Sequence, residues 1–110
     1  MDDVSILEGV LLEEYERSLR MTVALEDEVS SLPKGYVRES RRNGHVYYYL
    51  QRREGERVVS EYVPRELVEE LRDKITRRKA CERGLKAQER SRRQIEKALG
   101  KRFIDEHAAR

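Results

Sequence analysis

The dipeptide Asn43-Gly44 constrains the fold of this chain most, because segments rich in strand-forming residues lie on both sides of it. A two-residue type I′ turn needs positive φ at both central positions, and asparagine followed by glycine suits that geometry best. We therefore predict strands over Tyr36–Arg42 and 45–52 joined by a tight hairpin, and a third strand over Arg57–Val63. This order predicts an antiparallel β-meander.

The two-residue turn also predicts which side chains share a face of the sheet. It places Val37 opposite Leu50 and Arg41 opposite Val46, and side chains alternate between faces along each strand. One face is then expected to carry Val37, Val46, Tyr48 and Leu50, and the other Arg38, Ser40, Arg42, His45, Tyr47 and Tyr49. A second turn centred on Glu54-Gly55 adds Val59, Glu61 and Val63 to the first face and Val58, Ser60 and Tyr62 to the second.

Helical periodicity flanks the predicted sheet on both sides. Before it, apolar residues recur at threes and fours, with Ser18 as a polar member: Val4, Leu7, Leu11, Tyr15, Thr22, Leu25, Val29 and Leu32. Pro33 and Gly35 end that helix, and Pro64 suits the first position of the next. The second stripe has a polar middle and runs through Leu67, Leu71, Ile75, Arg78, Glu82, Leu85, Gln88, Arg92, Ile95 and Leu99. Gly100 is its predicted stop.

These segments predict one α+β domain over residues 1–110, with an acidic helix (1–33), the β-meander (34–63), a long basic helix (64–100) and a tail (101–110). Their net charges are −7 for 1–33, +3 for 34–63 and +6 for 64–110. We expect the two helices to form an antiparallel coiled-coil hairpin, with a coiled coil between two chains, and hence a dimer, as the alternative. The hairpin would set Glu8, Glu13, Glu14 and Glu16 against Arg77, Arg78, Lys79, Arg83 and Lys86.

The composition narrows the function classes. Only 37% of residues are hydrophobic and 42% are charged, which suits long helices with a narrow buried stripe. A single cysteine, Cys81, and two histidines, His45 and His107, form no metal-ligand spacing, and no nucleophile, nucleotide or carboxylate motif is present. We expect no catalytic residue, metal, cofactor or small-molecule substrate. Without an apolar span or an evident signal peptide, we expect a soluble, cytoplasmic protein.

Tyrosine and arginine residues supply the candidate binding site. An aromatic and arginine face on a thin sheet can stack bases, contact phosphates or anchor a protein partner, although tyrosine also favours strands for structural reasons alone. A second basic feature lies between residues 76 and 102, which hold eleven basic and three acidic residues. The candidate nucleic-acid-binding residues are Arg38, Arg41, Arg42, Tyr47 and Tyr49 in the sheet and Arg77, Arg78 and Lys79 in the second helix.

Several short motifs resemble a family of small uncharacterised prokaryotic proteins. They are Leu32-Pro33-Lys34-Gly35, Asn43-Gly44, Tyr47-Tyr48-Tyr49-Leu50-Gln51, Arg53-Glu54-Gly55 and the segment 58–64. In that family a comparable hairpin lies between two helical stretches, and no activity is assigned. The resemblance covers about a third of the chain closely and implies architecture only.

A looser similarity is to the arm-binding domain of tyrosine recombinases, in which a three-stranded sheet followed by a helix reads the DNA major groove. Arg41-Arg42-Asn43-Gly44, the aromatic second strand and the basic third strand are similar to that pattern. This chain departs from it in its longer second helix, in the acidic helix before the sheet and in having no recombinase catalytic domain within these residues. The similarity implies that Arg38, Arg42, Tyr47 and Tyr49 meet the nucleic acid.

Two hypotheses follow. The first is a non-catalytic protein-interaction or assembly module built on a coiled coil, whose partner is another protein or a second copy. The alternative is a DNA- or RNA-binding module that uses the Arg and Tyr face of the meander and the basic second helix. Neither hypothesis involves a membrane.

Overall fold

A computed structural model describes residues 4–108. Its elements in chain order are α1 (Ile6–Ser31), β1 (Tyr36–Arg42), β2 (His45–Glu54), β3 (Arg57–Val63), a 3-10 turn (Arg65–Leu67), α2 (Val68–Leu99) and α3 (Lys101–His107). The predicted α+β class, with a helix, a three-stranded antiparallel sheet and a long helix, is confirmed. The short helix α3 lies in the segment that the sequence suggested was a tail.

The two ends of α1 have distinct hydrogen-bonding arrangements. At its start Ser5 and Glu8 form a capping box, in which the Glu8 amide donates to Ser5 Oγ (3.1 Å) and the Ser5 amide donates to Glu8 Oε1 (3.0 Å). At its end Arg78 Nη1 donates to the carbonyl oxygens of Val29 (2.9 Å) and Leu32 (2.6 Å). Those carbonyls are among the last of the helix and have no partner inside it, so Arg78 stabilises the end of α1.

The sheet has the order β1-β2-β3, with the predicted first register and the predicted faces. Val37 pairs with Leu50 and Arg41 with Val46, as the two-residue turn requires. Asn43 and Gly44 both have positive φ, 52° and 79°, which is the type I′ geometry. The second turn is also tight, so that β2 extends two residues further than predicted and Glu54 pairs with Arg57. It is centred on Gly55-Glu56 and not on Glu54-Gly55 as predicted, so the pairs between β2 and β3 differ from those predicted.

The chain divides into two compact units, and the sheet belongs to the one that spans Glu28–Ala80. Its core consists of Leu50, Val63, Val68 and Ile75, and Val37, Tyr48 and Leu71 pack around them. The prediction that Leu67 belongs to the buried stripe is wrong, since Leu67 is exposed and Val68 is buried. The 3-10 turn before α2 explains the difference, because its tighter winding turns Val68 towards the sheet.

The other unit comprises residues 4–27 and 81–108 of the described chain. Its core is Leu12 with Ile95 and Ile104, where the last belongs to α3. The predicted stripe of α1 is confirmed in part: Val4, Leu11 and Tyr15 pack against this core, whereas Leu7 is exposed and Leu12, which the stripe left out, is buried. Gly100, at φ 88°, lets the chain reverse so that Ile104 can reach that core.

A polar layer lies between α1 and α2 within this same unit. Arg92 Nη1 donates to Thr22 Oγ1 (2.6 Å) and to Ser18 Oγ (3.0 Å). The buried Ser18 hydroxyl donates in turn to Gln88 Oε1 (2.8 Å). The polar middle of the second stripe is therefore explained, since Gln88 and Arg92 meet polar partners on α1.

The ion pairs differ from those predicted for the helical hairpin. Glu14 pairs with Arg17 on its own helix (2.5 Å), and Arg77 forms a bidentate pair with Glu28. The difference arises because α1 and α2 run antiparallel within residues 28–80. The last residues of α1 therefore lie beside the first turns of α2. The acidic residues of the first turns of α1 belong to the unit that contains the far end of α2.

Candidate nucleic-acid interface

The two faces of the sheet have different surroundings. One face, here called the core face, carries Leu50 and Val63 and packs on α2 within residues 28–80. The alternation of side chains along the paired strands assigns every other residue to the opposite side, here called the open face. The open face consists of Tyr36, Arg38, Ser40 and Arg42 from β1, His45, Tyr47, Tyr49, Gln51 and Arg53 from β2, and Val58, Ser60 and Tyr62 from β3.

Each face carries three arginines, but the carboxylates are confined to one of the two faces. The three strands, all of which the structure describes, contain the carboxylates Glu39, Glu54 and Glu61, and all three stand on the core face. The open face of the same strands has no carboxylate, and it carries three arginines and His45. An open face of this kind attracts anions.

The carboxylates of the core face are held by arginines. Arg52 Nη2 donates to Glu61 (2.6 Å) and Arg52 Nε to Glu54 (2.9 Å), and these carboxylates, Glu61 first, raise the pKa of Arg52. Arg72 of α2 reaches Glu39 at 3.4 Å. The acidic side chains of the sheet are thus engaged on the side that faces α2.

Aromatic contacts order the centre of the open face. Tyr49 meets Tyr62 edge to face, with ring centroids 6.1 Å apart and an interplanar angle of 73°. On its other side the guanidinium carbon of Arg38 lies 5.2 Å from the Tyr49 ring centroid, a cation–π contact. Tyr36 donates its hydroxyl hydrogen to Gln51 Oε1 (2.5 Å). Tyr47 and Tyr62 keep 37% and 60% of their surfaces exposed.

The structure brings together four of the eight predicted site residues. Arg38, Arg42, Tyr47 and Tyr49 share the open face. Arg41 pairs with Val46 and therefore stands on the core face, near the turn, where it is exposed.

The three predicted residues of α2 lie elsewhere in the same unit. Arg77 pairs with Glu28 and Arg78 binds the carbonyls at the end of α1, so both join α2 to α1. Lys79 is exposed beside a shallow groove that Tyr36 also lines.

The predicted site omitted two tyrosines and one arginine of the open face. Tyr36 and Tyr62 are exposed aromatics of that face, and Arg53 belongs to it because β2 continues to Glu54. Strand alternation assigns Tyr62 to this face from sequence alone. Arg53 could be found only once the second turn was known to be a two-residue loop.

Other surfaces give no comparable site among residues 4–108. A groove of about 440 Å³ next to the core face is lined by Arg52, Glu61 and Arg78, where Arg52 bonds to Glu61 and Arg78 Nη1 bonds to backbone carbonyls. No cluster of three His, Cys, Asp or Glu side chains suited to a metal ion occurs in the described part of the chain. Cys81 is buried. No described helix has the length and apolar character that crossing a membrane requires.

Comparison with known proteins identifies a family. The family described as Domain of unknown function (DUF6788) matches residues 11–73, which is more than half of the chain. The chain belongs to this family. The predicted membership of an uncharacterised family is confirmed to that extent, and the matched span contains the whole sheet. No curated protein and no solved structure gave a match.

The description of DUF6788 names no activity, so membership transfers no site residue to this chain. The matched span ends at residue 73, before Arg77, Arg78 and Lys79. The open face, with its turns and both edge strands, lies entirely inside it.

Proposed function

We propose that this member of the DUF6788 family is a non-catalytic nucleic-acid-binding module and that the open face is its binding surface. The observation that carries the proposal is that the carboxylates of the strands are confined to the core face, although arginines stand on both faces. Three arginines and no carboxylate stand on the open face, whereas Glu39, Glu54 and Glu61 are held on the core face. A surface with one sign of charge favours a polyanion.

The chemistry of the open face supports the same proposal. Arginine binds phosphate oxygens through charge-assisted hydrogen bonds, and tyrosine offers both a ring face and a hydroxyl group. Arg38 and Arg42 lie on the edge strand β1, beside the tyrosines of β2. Phosphate and base can therefore be met by neighbouring side chains of one rigid sheet.

The similarity to the arm-binding domain of tyrosine recombinases supports nucleic acid as the class of ligand, and it does not bear on the choice between a duplex and a single strand. A three-stranded antiparallel sheet followed by a helix supports the analogy. Under it, Arg38, Arg42, Tyr47 and Tyr49 contact the nucleic acid, and these are the four predicted residues on the open face.

The proposal is tested by titrating the protein into fluorescently labelled mixed-sequence DNA and following anisotropy at several salt concentrations. Three arginines that each neutralise one phosphate predict a slope of log K against log salt of about −2 to −3. Micromolar binding at low salt that weakens along this slope supports the proposal. Absence of binding even at low salt would overturn it.

Adjacent residues of β1 supply a matched control. Arg42 and Arg41 are both exposed and stand on opposite faces, so that Arg42→Glu and Arg41→Glu change the net charge equally. Arg42→Glu, alone or with Tyr47→Ala, is expected to abolish most binding, and Arg41→Glu to reduce it only slightly at physiological salt. Equal losses would mean that overall charge, and not the open face, determines binding.

A second candidate function is protein association, as expected for an assembly module. The observation that favours it lies in the first turns of α1, where Ile6, Leu7 and Val10 are 89%, 68% and 55% exposed. Neighbouring apolar side chains at this exposure suit a protein partner or a second copy of the chain. Sedimentation equilibrium tests self-association: a mass that rises with concentration and survives high salt, but is lost in Leu7→Ser with Val10→Ser, supports it.

A further inference from the structure

We infer that the nucleic acid bound by the open face is single-stranded, and that its bases stack on Tyr47 and Tyr62. The inference rests on the proposed function and specifies its ligand. It is drawn from the placement of the aromatic and basic side chains relative to one another.

The open face has an aromatic centre and a basic rim. Tyr49 lies in the middle strand, with Tyr62 directly opposite on β3 and Tyr47 two residues away on β2. Arg42 pairs with His45 at the hairpin turn, and Arg53 stands at the other end of β2. Arg42 and Arg53 thus lie at the two ends of the aromatic cluster, and Arg38, on the edge strand β1, contacts the Tyr49 ring.

The dimensions of this centre suit a few bases. Paired residues of neighbouring strands are about 4.8 Å apart, and residues i and i+2 of one strand about 6.7 Å apart. The tyrosines at positions 36, 47, 49 and 62 therefore have their backbone positions inside an area of roughly 10 by 13 Å. Two or three unstacked bases cover such an area, with their phosphates over the basic rim.

A duplex would use these side chains poorly. Its base faces are stacked on one another, so a protein reaches only base edges, and reading those edges relies on donors and acceptors such as arginine, asparagine and glutamine. In the open face the central groups are rings, whose π surfaces can be used fully only by bases that are free of a stack. The arginines at the rim remain free to contact the backbone of such a strand.

The rings are also ordered before a strand arrives. Tyr62 packs its ring at a steep angle to Tyr49, and Arg38 lies over the other side of Tyr49. A tyrosine ring has few rotatable bonds, so little conformational entropy is lost when a base stacks on it. Tyr47 and Tyr62 are exposed and lie next to Tyr49, whereas Tyr36, also exposed, lies at one end of β1 with its hydroxyl bonded to Gln51.

The test compares one 12-nucleotide sequence as single-stranded DNA, as single-stranded RNA and as a DNA duplex, each labelled and titrated at low salt. We expect either single strand to bind at least tenfold more tightly than the duplex. The ratio of the affinities for single-stranded DNA and single-stranded RNA shows which of the two the open face prefers. Tyr47→Leu and Tyr62→Leu should each weaken single-strand binding about fivefold to a hundredfold, the range for one lost base–aromatic stack. Tyr47→Phe and Tyr62→Phe, which keep the ring, should bind within a few-fold of the parent.

A second readout is the fluorescence of the protein's own tyrosines. The chain has no tryptophan and six tyrosines, so tyrosine emission reports directly on stacking. Emission should be quenched by the single strand, and less so in the Leu variants. Unfolding curves of the Leu and Phe variants establish that each variant remains folded.

The possible results separate this inference from the proposed function. Duplex binding as tight as single-strand binding would overturn the inference and leave the proposed function standing, and Leu variants that bind as well as the parent would overturn the stacking. Phe variants as weak as the Leu variants would assign the effect to the hydroxyl group and overturn the stacking as well. Failure of all three nucleic acids to bind would overturn the proposed function itself.

Discussion

Substitution of Gly35 by alanine should destabilise the protein more than substitution of any glycine in a turn. Gly35 precedes β1 and has φ 115°, and a Cβ built on it lies only 2.2 Å from the Gln51 carbonyl oxygen. That oxygen belongs to the backbone of the middle strand, so it cannot move aside as a flexible side chain would. The Cβ also approaches Arg52 Cβ to 3.1 Å.

The expected cost has two parts. A non-glycine residue held in this part of the backbone map costs on the order of 1–3 kcal/mol. Displacing β1 from β2 to relieve the overlap adds roughly 1–3 kcal/mol, as for other overpacked sites. The sum, about 2–6 kcal/mol, is a large part of the roughly 5–15 kcal/mol by which native proteins are usually stable.

Gly44→Ala is the matched control. Gly44 also has positive φ, 79°, but no atom lies within 4 Å of a Cβ built there. It should therefore cost only about 1–2 kcal/mol, the backbone strain without the overlap. Urea unfolding of the three proteins, followed by far-UV circular dichroism, measures both costs. If Gly35→Ala costs no more than Gly44→Ala, the close approach of Gly35 to Gln51 does not exist in solution.

Four further predictions concern the helices. Gly9→Ala should stabilise the protein by about 0.5–1 kcal/mol in urea unfolding, because Gly9 is inside α1 and its Cβ would meet open space. Gly84→Ala should stabilise the protein less than Gly9→Ala does, or destabilise it, since the new Cβ would lie 3.2 Å from Leu25 Cδ1. Equal stabilisation by the two substitutions would contradict that contact. Ile104→Ala should lower the free energy of unfolding by about 2–5 kcal/mol and reduce the helical circular dichroism signal, because Ile104 is buried. A loss below about 1 kcal/mol would mean that α3 does not pack on the core. Glu8→Gln should destabilise the protein at neutral pH, and progressively less as the pH falls below about 4.5. The hydrogen bond from the Ser5 amide lowers the pKa of Glu8 in the folded state, so the stability that the Glu8 carboxylate contributes is lost when it is protonated. A difference in stability between the two proteins that does not change with pH would contradict this.

Local signals were sufficient to predict the sheet. Asn43-Gly44 fixed the first turn, and the turn fixed the pairing of Val37 with Leu50 and therefore the residues of each face. The second register was not predicted, because the turn was expected at Glu54-Gly55 and lies at Gly55-Glu56; that difference moves each partner by two residues and so leaves the faces unchanged. These features depend on a few neighbouring residues, so tertiary contacts did not need to be known.

Helix surfaces and α3 were harder to predict for a physical reason. A helical stripe has a neighbour at every third or fourth position, so Leu7 and Leu12 fit almost equally well, and only the partner decides which one is buried. The segment Lys101–His107 is short and mostly polar, with no strong helix signal of its own. Its helix depends on Ile104 meeting Leu12 and Ile95, which lie far away in sequence.

The candidate site was predictable in part. Alternation in β1 and β2 placed Arg38, Arg42, Tyr47 and Tyr49 on one face, as the structure has them. The roles of Arg77 and Arg78 were not predictable, because a run of basic residues does not reveal that Glu28 and the carbonyl groups at the end of α1 lie next to it.

Burial and binding are connected through the register of the sheet. Leu50 and Val63 decide which face packs on α2, and alternation then places Glu61 on that same face. A slip of one residue would move Glu61 to the open face and introduce a carboxylate among the arginines. The proposed binding therefore depends on register more than on overall stability.

Val63→Ala, which leaves both turns intact, should lower the free energy of unfolding but keep the salt dependence of nucleic-acid binding. Gly35→Ala should weaken binding even at temperatures where the variant is folded, because it displaces β1 and its arginines. Loss of binding in a folded Val63→Ala variant would refute this dependence on register.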